Sequence, residues 1–198
     1  KSKVKEPVDR GSKSEVFAYK KLPKAEPHSG LWPIDVLYAI MNSGYGNVFV
    51  DLDSTTYDLV RLPIEKPFQW VTSETAFVRS IGIGGVANSN APDTIGVTTL
   101  EGALRNSELL QFALEHGKGK LLIMNDGGAT YLDTYKSDVP SIGRGGEADY
   151  REDYLEKAFN AVTVRSFGEL VNVLKERSDK VAVINVELDP GFKSAVIP

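Results

Sequence analysis

Residues 120–124, Lys-Leu-Leu-Ile-Met, run straight into Asn125-Asp126-Gly127-Gly128. An apolar run of that length, bounded by turn-formers, predicts a short buried strand with a polar cluster where it leaves the sheet. In open α/β sheets, ligands bind outside the carboxyl ends of strands, so an amide and a carboxylate at this place can meet one. The same residues also serve as an ordinary turn, because Asn, Asp and Gly tolerate left-handed backbone, and taken alone the stretch favours the turn. Asp51 and Asp53 end an earlier apolar run, Asn-Val-Phe-Val-Asp-Leu-Asp. Strand-end carboxylates of this kind face either a ligand or water. Gly82, Gly84 and Gly85 imitate a dinucleotide fingerprint. They fail it, because a convincing one follows a strand, opens a helix and has an acidic residue about twenty positions on; close helix packing is the expected role. His28 and His116 have no metal-ligand spacing, and His116 falls at a helix end where a positive charge suits the dipole. Cysteine is absent, which removes disulfides, thiolate nucleophiles and cysteine metal sites together.

The elements that must position these groups come from a chain of 198 residues, enough for one sizeable core. Hydrophobic residues make up 41% and charged residues 25%, the balance of a globular domain. No apolar run approaches the roughly 18 residues of a membrane span, and no secretory signal pattern occurs, so a soluble, cytoplasmic protein with no membrane partner is expected. A net charge of -4 argues against a nucleic-acid partner, which needs clustered Lys and Arg. Residues 1–29 are the exception: basic, poor in apolar residues and broken by Pro7, Pro23 and Pro27, they predict a linker or partly ordered arm. Residues 30–198 form the expected domain.

Within that domain, Pro33 suits a first helical turn, Ile34, Leu37, Tyr38 and Met41 recur at helical spacing, and Gly44 provides a stop. A strand over 47–53 follows. Residues 54–74 are expected to be irregular, because Pro63 and Pro67 forbid a long element. A small-residue helix over 75–90, a strand over 93–99, a helix over 100–117 and the strand at 120–124 come next. Residues 135–153 have the composition of a long loop; "SIGRGGE", with Arg144, reads either as a lid over an acidic or phosphorylated substrate or as a glycine-rich surface loop. Helix, strand, helix and strand then close the chain. This alternation predicts a parallel sheet between two helical layers.

The pieces "NVFVDLD", "FVRSIGIGGVAN", "APDTIGVTTLEG", "ALRNSELLQFALEHG", "KLLIMNDGG", "YLEKAFNAVTVRSFGELVNVLKE" and "VAVINVELDP" share an order and spacing with a known family. From Trp32 to its end the chain resembles the diphosphate-binding (PP) domain of thiamine-diphosphate enzymes of the decarboxylase, acetolactate synthase and sulfopyruvate decarboxylase type. The resemblance implies a three-layer α/β/α domain with a mainly parallel sheet, the thiamine-diphosphate-binding fold. It also implies thiamine diphosphate and Mg²⁺ as cofactors, a small 2-oxo acid substrate, and decarboxylase or carboligase chemistry. A pyrimidine-binding (PYR) domain or subunit is implied as partner, within a homo- or hetero-oligomer, and would supply the activating glutamate.

In that family a strand ending in Gly-Asp-Gly and a later Asn-Asn hold Mg²⁺ against the diphosphate with a carboxylate, an amide oxygen and a backbone carbonyl. Carried onto this chain, the metal ligands would be Glu101, Asn125, Asp126 and the carbonyl of Gly127. The cofactor would be met by Asp53, Gly82, Thr99, Gly102, Ala103, Asn125, Gly127 and Gly128. Which residue of the chain, if any, is catalytic stays unknown. The chain departs from the pattern where Leu100-Glu101-Gly102 replaces Gly-Asp-Gly, one methylene longer, and its spacing to Asn125 is shorter than usual. Three outcomes are open: Glu101 holds the metal, Asp126 replaces it, or the site is lost and the chain is a non-catalytic structural or regulatory homologue.

Overall fold

The structure, a computed structural model, describes residues 28–62, 64–72, 80–126, 155–192 and 194–195. Trp32 sits at the N-cap of helix α1 (Pro33–Met41), its N–H donating to Asp35 Oδ2 at 2.8 Å, and Pro33 takes the first turn where no N–H is required. Gly44, at φ 71°, turns the chain out of the helix, in the left-handed region that glycine adopts without strain. Strand β1 (Asn47–Val50), helix α2 (Tyr57–Arg61) and strand β2 (Gln69–Thr72) follow. After them come α3 (Ile81–Ala87), β3 (Thr94–Thr99), α4 (Leu100–Arg105), α5 (Ser107–His116) and β4 (Gly119–Asn125). A helical segment at 155–159, β5 (Val162–Val164), α6 (Phe167–Lys175) and β6 (Val181–Glu187) complete the order.

All six strands pair in parallel, in the order β2-β1-β3-β4-β6-β5. Their central members are buried on both faces, which is why they read as unbroken apolar runs instead of alternating ones. One face carries Val48, Val50, Ile95, Val97, Leu122, Met124, Ile184 and Val186 against α1, α2 and α6. The other carries Leu121, Ile123 and Val183 against α3, α4, α5 and residues 155–159. No helix among the described residues is long and apolar enough to cross a membrane.

Three expectations are corrected. The stretch expected to be irregular contains α2 and β2, since the chain needs only the residues after Pro67 to form a short edge strand. The helix expected over 100–117 breaks at Asn106, which leaves helical geometry (φ −115°, ψ 37°) while its side-chain amide bonds back to the Gly102 carbonyl at 2.8 Å. The first strand ends at Val50, so Asp51 and Asp53 lie just beyond it. The arm expected over 1–29 lies outside the described residues except for its last two: His28 stacks on Trp32 at 4.3 Å and reaches the Gly30 carbonyl at 2.7 Å.

The small-residue helix packs as its composition demands, but not at every glycine. A Cβ on Gly82 would lie 2.2 Å from the Val97 carbonyl oxygen, and one on Gly85 would lie 2.2 Å from Phe49 Cγ. Gly96 of β3 meets α3 from the other side, where a Cβ would fall 2.1 Å from the Gly82 carbonyl oxygen. Helix and strand backbones therefore touch without intervening side chains. Gly84 instead faces open space beside Val71 and Phe49.

Candidate site at the carboxyl ends of the strands

The expected site residues collect at one end of the sheet, where β1, β3 and β4 stop side by side. Thr99 caps α4, its Oγ1 accepting the Gly102 N–H at 3.1 Å. That bond occupies the Gly102 amide, and Ala103 turns fully into the core. Glu101 is in the first turn of α4 and is paired with Arg105 one turn on, Oε1 to Nη2 at 2.6 Å. Asp53 is buried, and its N–H donates to Thr56 Oγ1 at 2.8 Å. Gly82 lies on the β1–β3 side, with its N–H given to Asp51 Oδ1 at 3.1 Å. Asp126 is the last described residue after β4; Gly127, Gly128 and the 135–153 loop lie outside the described residues.

Asp51 is the residue whose role changes most. Strand-end carboxylates are ordinarily solvated, yet Asp51 is 0% exposed. Helix α3 receives no side-chain cap from Ser80, and the Asp51 carboxylate stands in its place against the first N–H groups of the helix. Burial pushes the Asp51 carboxyl above its ordinary range, while the Thr98 hydroxyl and the Gly82 and Ile81 N–H groups pull the other way. Thr98 Oγ1 is near enough to exert that pull, but neither it nor Asp51 Oδ2 completes a hydrogen bond of good geometry.

Across the sheet from Asp51, Asn125 is 5% exposed and opens a line of side-chain bonds that the sequence did not suggest. Its Nδ2 donates to Asn185 Oδ1 at 3.1 Å; Asn185 Nδ2 donates to Thr163 Oγ1 at 3.1 Å; Thr163 donates to Glu156 Oε1 at 2.8 Å. The line crosses β4, β6 and β5 in their spatial order and ends at an exposed glutamate. The main-chain carbonyl of Asn125 accepts the Leu188 N–H at 2.7 Å. A single signal pointed to Asn185: a polar residue in the middle of "VAVINVE", an otherwise apolar strand.

Among the described residues no three His, Cys, Asp or Glu side chains gather to hold a metal. The donors that do stand at the ends of β3 and β4, Glu101, Asn125 and Asp126, are hard-oxygen groups, the kind suited to Mg²⁺. His28 and His116 take no part: His28 pairs with Asp35 at 3.4 Å, and the ring of His116, in the last turn of α5, lies tilted at 49° to that of Phe112, 4.5 Å between centroids.

No protein-family model matches the sequence, and no curated protein matches it. Solved structures do. The chain is similar to a thiamine diphosphate-dependent 4-hydroxybenzoylformate decarboxylase from Rhodococcus jostii RHA1, with a TM-score of 0.60 and 15% identity over 85% of this chain and 34% of that one. It is similar to a benzoylformate decarboxylase from Polynucleobacter necessarius, with a TM-score of 0.57 and 14% identity over 87% of this chain and 36% of that one. At such identity the likeness is one of fold, and the chain spans about a third of the length of either decarboxylase. Its six-stranded parallel α/β/α fold is one that occurs within thiamine-diphosphate-dependent decarboxylases.

Proposed function

We propose that this chain is the diphosphate- and Mg²⁺-binding (PP) domain of a cytoplasmic thiamine-diphosphate-dependent 2-oxo acid decarboxylase or carboligase. In this reading it works in a homo- or hetero-oligomer with a pyrimidine-binding (PYR) domain or subunit. The observation that supports the reading is the presence of hard-oxygen donors after two adjacent strands, Glu101 following β3 and Asn125 and Asp126 at the end of β4, in a fold found in such an enzyme. Fold alone does not fix function, so the weight rests on these residues.

The donor set fits the cation in kind. Asn125 would give an amide oxygen, Asp126 or Glu101 a carboxylate, and Gly127 a main-chain carbonyl. Thr99 and the first turn of α4 follow β3, the strand beside β4. When bound, thiamine diphosphate would supply carbanion-equivalent chemistry toward the carbonyl of a small 2-oxo acid. The chain's own part is to hold and orient the charged end of that cofactor.

One observation favours a second reading. The Glu101 carboxylate is already held by Arg105 at 2.6 Å, an arrangement that suits a homologue which has given up its metal and serves a structural or regulatory role. Calorimetric titration of thiamine diphosphate with Mg²⁺ separates the two. Saturable, Mg²⁺-dependent binding to the chain, alone or with a PYR-type partner, supports the first reading. No binding in either preparation, and none after Glu101→Asp, leaves the second.

A further inference from the structure

We propose that Glu156, Thr163 and Asn185 form a positioning relay that fixes the Asn125 side-chain amide with its nitrogen toward β6 and its oxygen turned away from it. The consequence for cation binding rests on the function proposed above; the relay itself does not.

The direction of the line follows from its last member. A carboxylate has only acceptors, so the Thr163 hydroxyl, 2.8 Å from Glu156 Oε1, must donate there. With its one proton committed, Thr163 Oγ1 offers Asn185 an acceptor, and the atom of Asn185 facing it at 3.1 Å must be Nδ2. Asn185 therefore presents Oδ1 to Asn125, and only Nδ2 of Asn125 can satisfy it at 3.1 Å. A reversed Asn185 would set its oxygen against a hydroxyl oxygen with no proton to share and its amide nitrogen against that of Asn125. Asn185 is 0% exposed, so water cannot repair the mismatch with Asn125, and a buried unsatisfied polar group is costly; at the half-buried Thr163 the reversal would instead cost the bond to Glu156. The orientation of Asn125 is thus set from the surface, across three strands.

Only the oxygen of an asparagine amide can ligate a hard cation. The relay keeps that atom off β6 and fixes the rotamer that carries it, much as outer hydrogen-bond partners orient metal ligands elsewhere.

The test uses the full chain labelled with ¹⁵N, following the side-chain amide resonances of Asn125 and Asn185, together with titration of Mg²⁺ and inorganic pyrophosphate. Thr163→Val keeps the shape and removes the hydroxyl; Thr163→Ser keeps the hydroxyl. In Thr163→Val the amide signals of both asparagines are expected to shift, split and exchange faster with solvent, and Mg²⁺–pyrophosphate affinity to fall about 10-fold. Thr163→Ser should retain the parent pattern in both measurements. The relay is overturned if Thr163→Val leaves the Asn125 amide unchanged, or if Thr163→Ser disturbs it equally, since that would signal packing alone. If the parent binds no Mg²⁺–pyrophosphate while Thr163→Val still moves the Asn125 amide, the relay stands and the cofactor reading falls.

Discussion

Two buried polar clusters lie at the carboxyl ends of the same sheet. On the β1–β3 side, Asp51 turns its carboxylate onto the first N–H groups of α3, and the backbones of α3 and β3 close over it at Gly82 and Gly96. On the β4–β6–β5 side, Asn125 and Asn185 are just as deeply placed, but their hydrogen bonds run sideways through Thr163 to a surface glutamate. The first cluster is spent on the chain's own helix. The second holds an amide in a set direction at a strand end. Depth of burial alone therefore does not distinguish the two clusters; what distinguishes them is where their hydrogen-bond chains end.

The sharpest way to break the closed side is Gly85→Leu, which drives a side chain into Phe49. The expected loss is at least the roughly 1–3 kcal/mol of ordinary overpacking, a large part of a total stability of about 5–15 kcal/mol. Gly84→Leu on the same helix, with open space at its Cβ, should change the midpoint of urea unfolding little. Equal damage from both would mean that small size, and not contact with Phe49, is what the helix requires.

On the other side, Asn125→Ala strands Asn185 Oδ1 in a dry position, at a cost of about 1–3 kcal/mol in the same unfolding assay. A ligand residue at a solvated turn would cost far less. The variant should also lose Mg²⁺-dependent binding of thiamine diphosphate, and retained binding would remove Asn125 from the site.

Asp51→Asn sharpens the contrast through pH. Because the folded-state pKa is raised, the folded protein holds this proton more tightly than the unfolded chain does. Stability from this group is therefore greatest below the ordinary carboxylate range, about pH 4, and falls as pH rises through the folded value. The slope from one proton cannot exceed about 1.4 kcal/mol per pH unit. Asn keeps an acceptor for the Gly82 N–H and brings a donor for Thr98, so the variant should lose that slope and be at least as stable as the parent at neutral pH. A variant less stable at pH 7 would show that the charge itself is needed at the end of α3.

The smallest effect is expected from Arg105→Gln. Its guanidinium is half exposed, so the pair with Glu101 should contribute only about 0.2–0.5 kcal/mol to stability. If Arg105 competes for the Glu101 carboxylate, Mg²⁺-dependent binding should tighten in the variant. An unchanged affinity would assign the carboxylate role away from Glu101.

Much of the fold was legible because a parallel sheet writes itself as apolar runs between amphipathic segments. β3, β4 and β6 are such runs, and α1 has Pro33 and Gly44 as its limits. β2 was not legible: Gln69, Trp70 and Val71 are exposed, so no burial pattern marks them, and only main-chain pairing with β1 makes a strand of them. The candidate site was half legible. Thr99, Glu101, Asn125 and Asp126 sit at strand ends where the sequence placed them. Asn185 was marked only as a polar residue in an apolar strand and Thr163 was hidden, because their partnership depends on β6 lying between β4 and β5, a spatial order that no local pattern encodes. Asp51 was visible as a residue but not as a cap, since its helix begins 30 positions later at Ile81.

The bond from the Leu188 N–H to the Asn125 carbonyl has a mechanical meaning as well. Leu188 bridges Leu31 in parallel, and the Asp189 N–H closes on the Leu31 carbonyl at 2.8 Å. The polypeptide entering α1 and the polypeptide leaving β6 are thus clasped together, and the clasp is hooked onto the backbone of Asn125. A pull on either flank loads this clasp in shear before it loads a strand. The two flanks are therefore tied to the main chain of Asn125 within two hydrogen bonds.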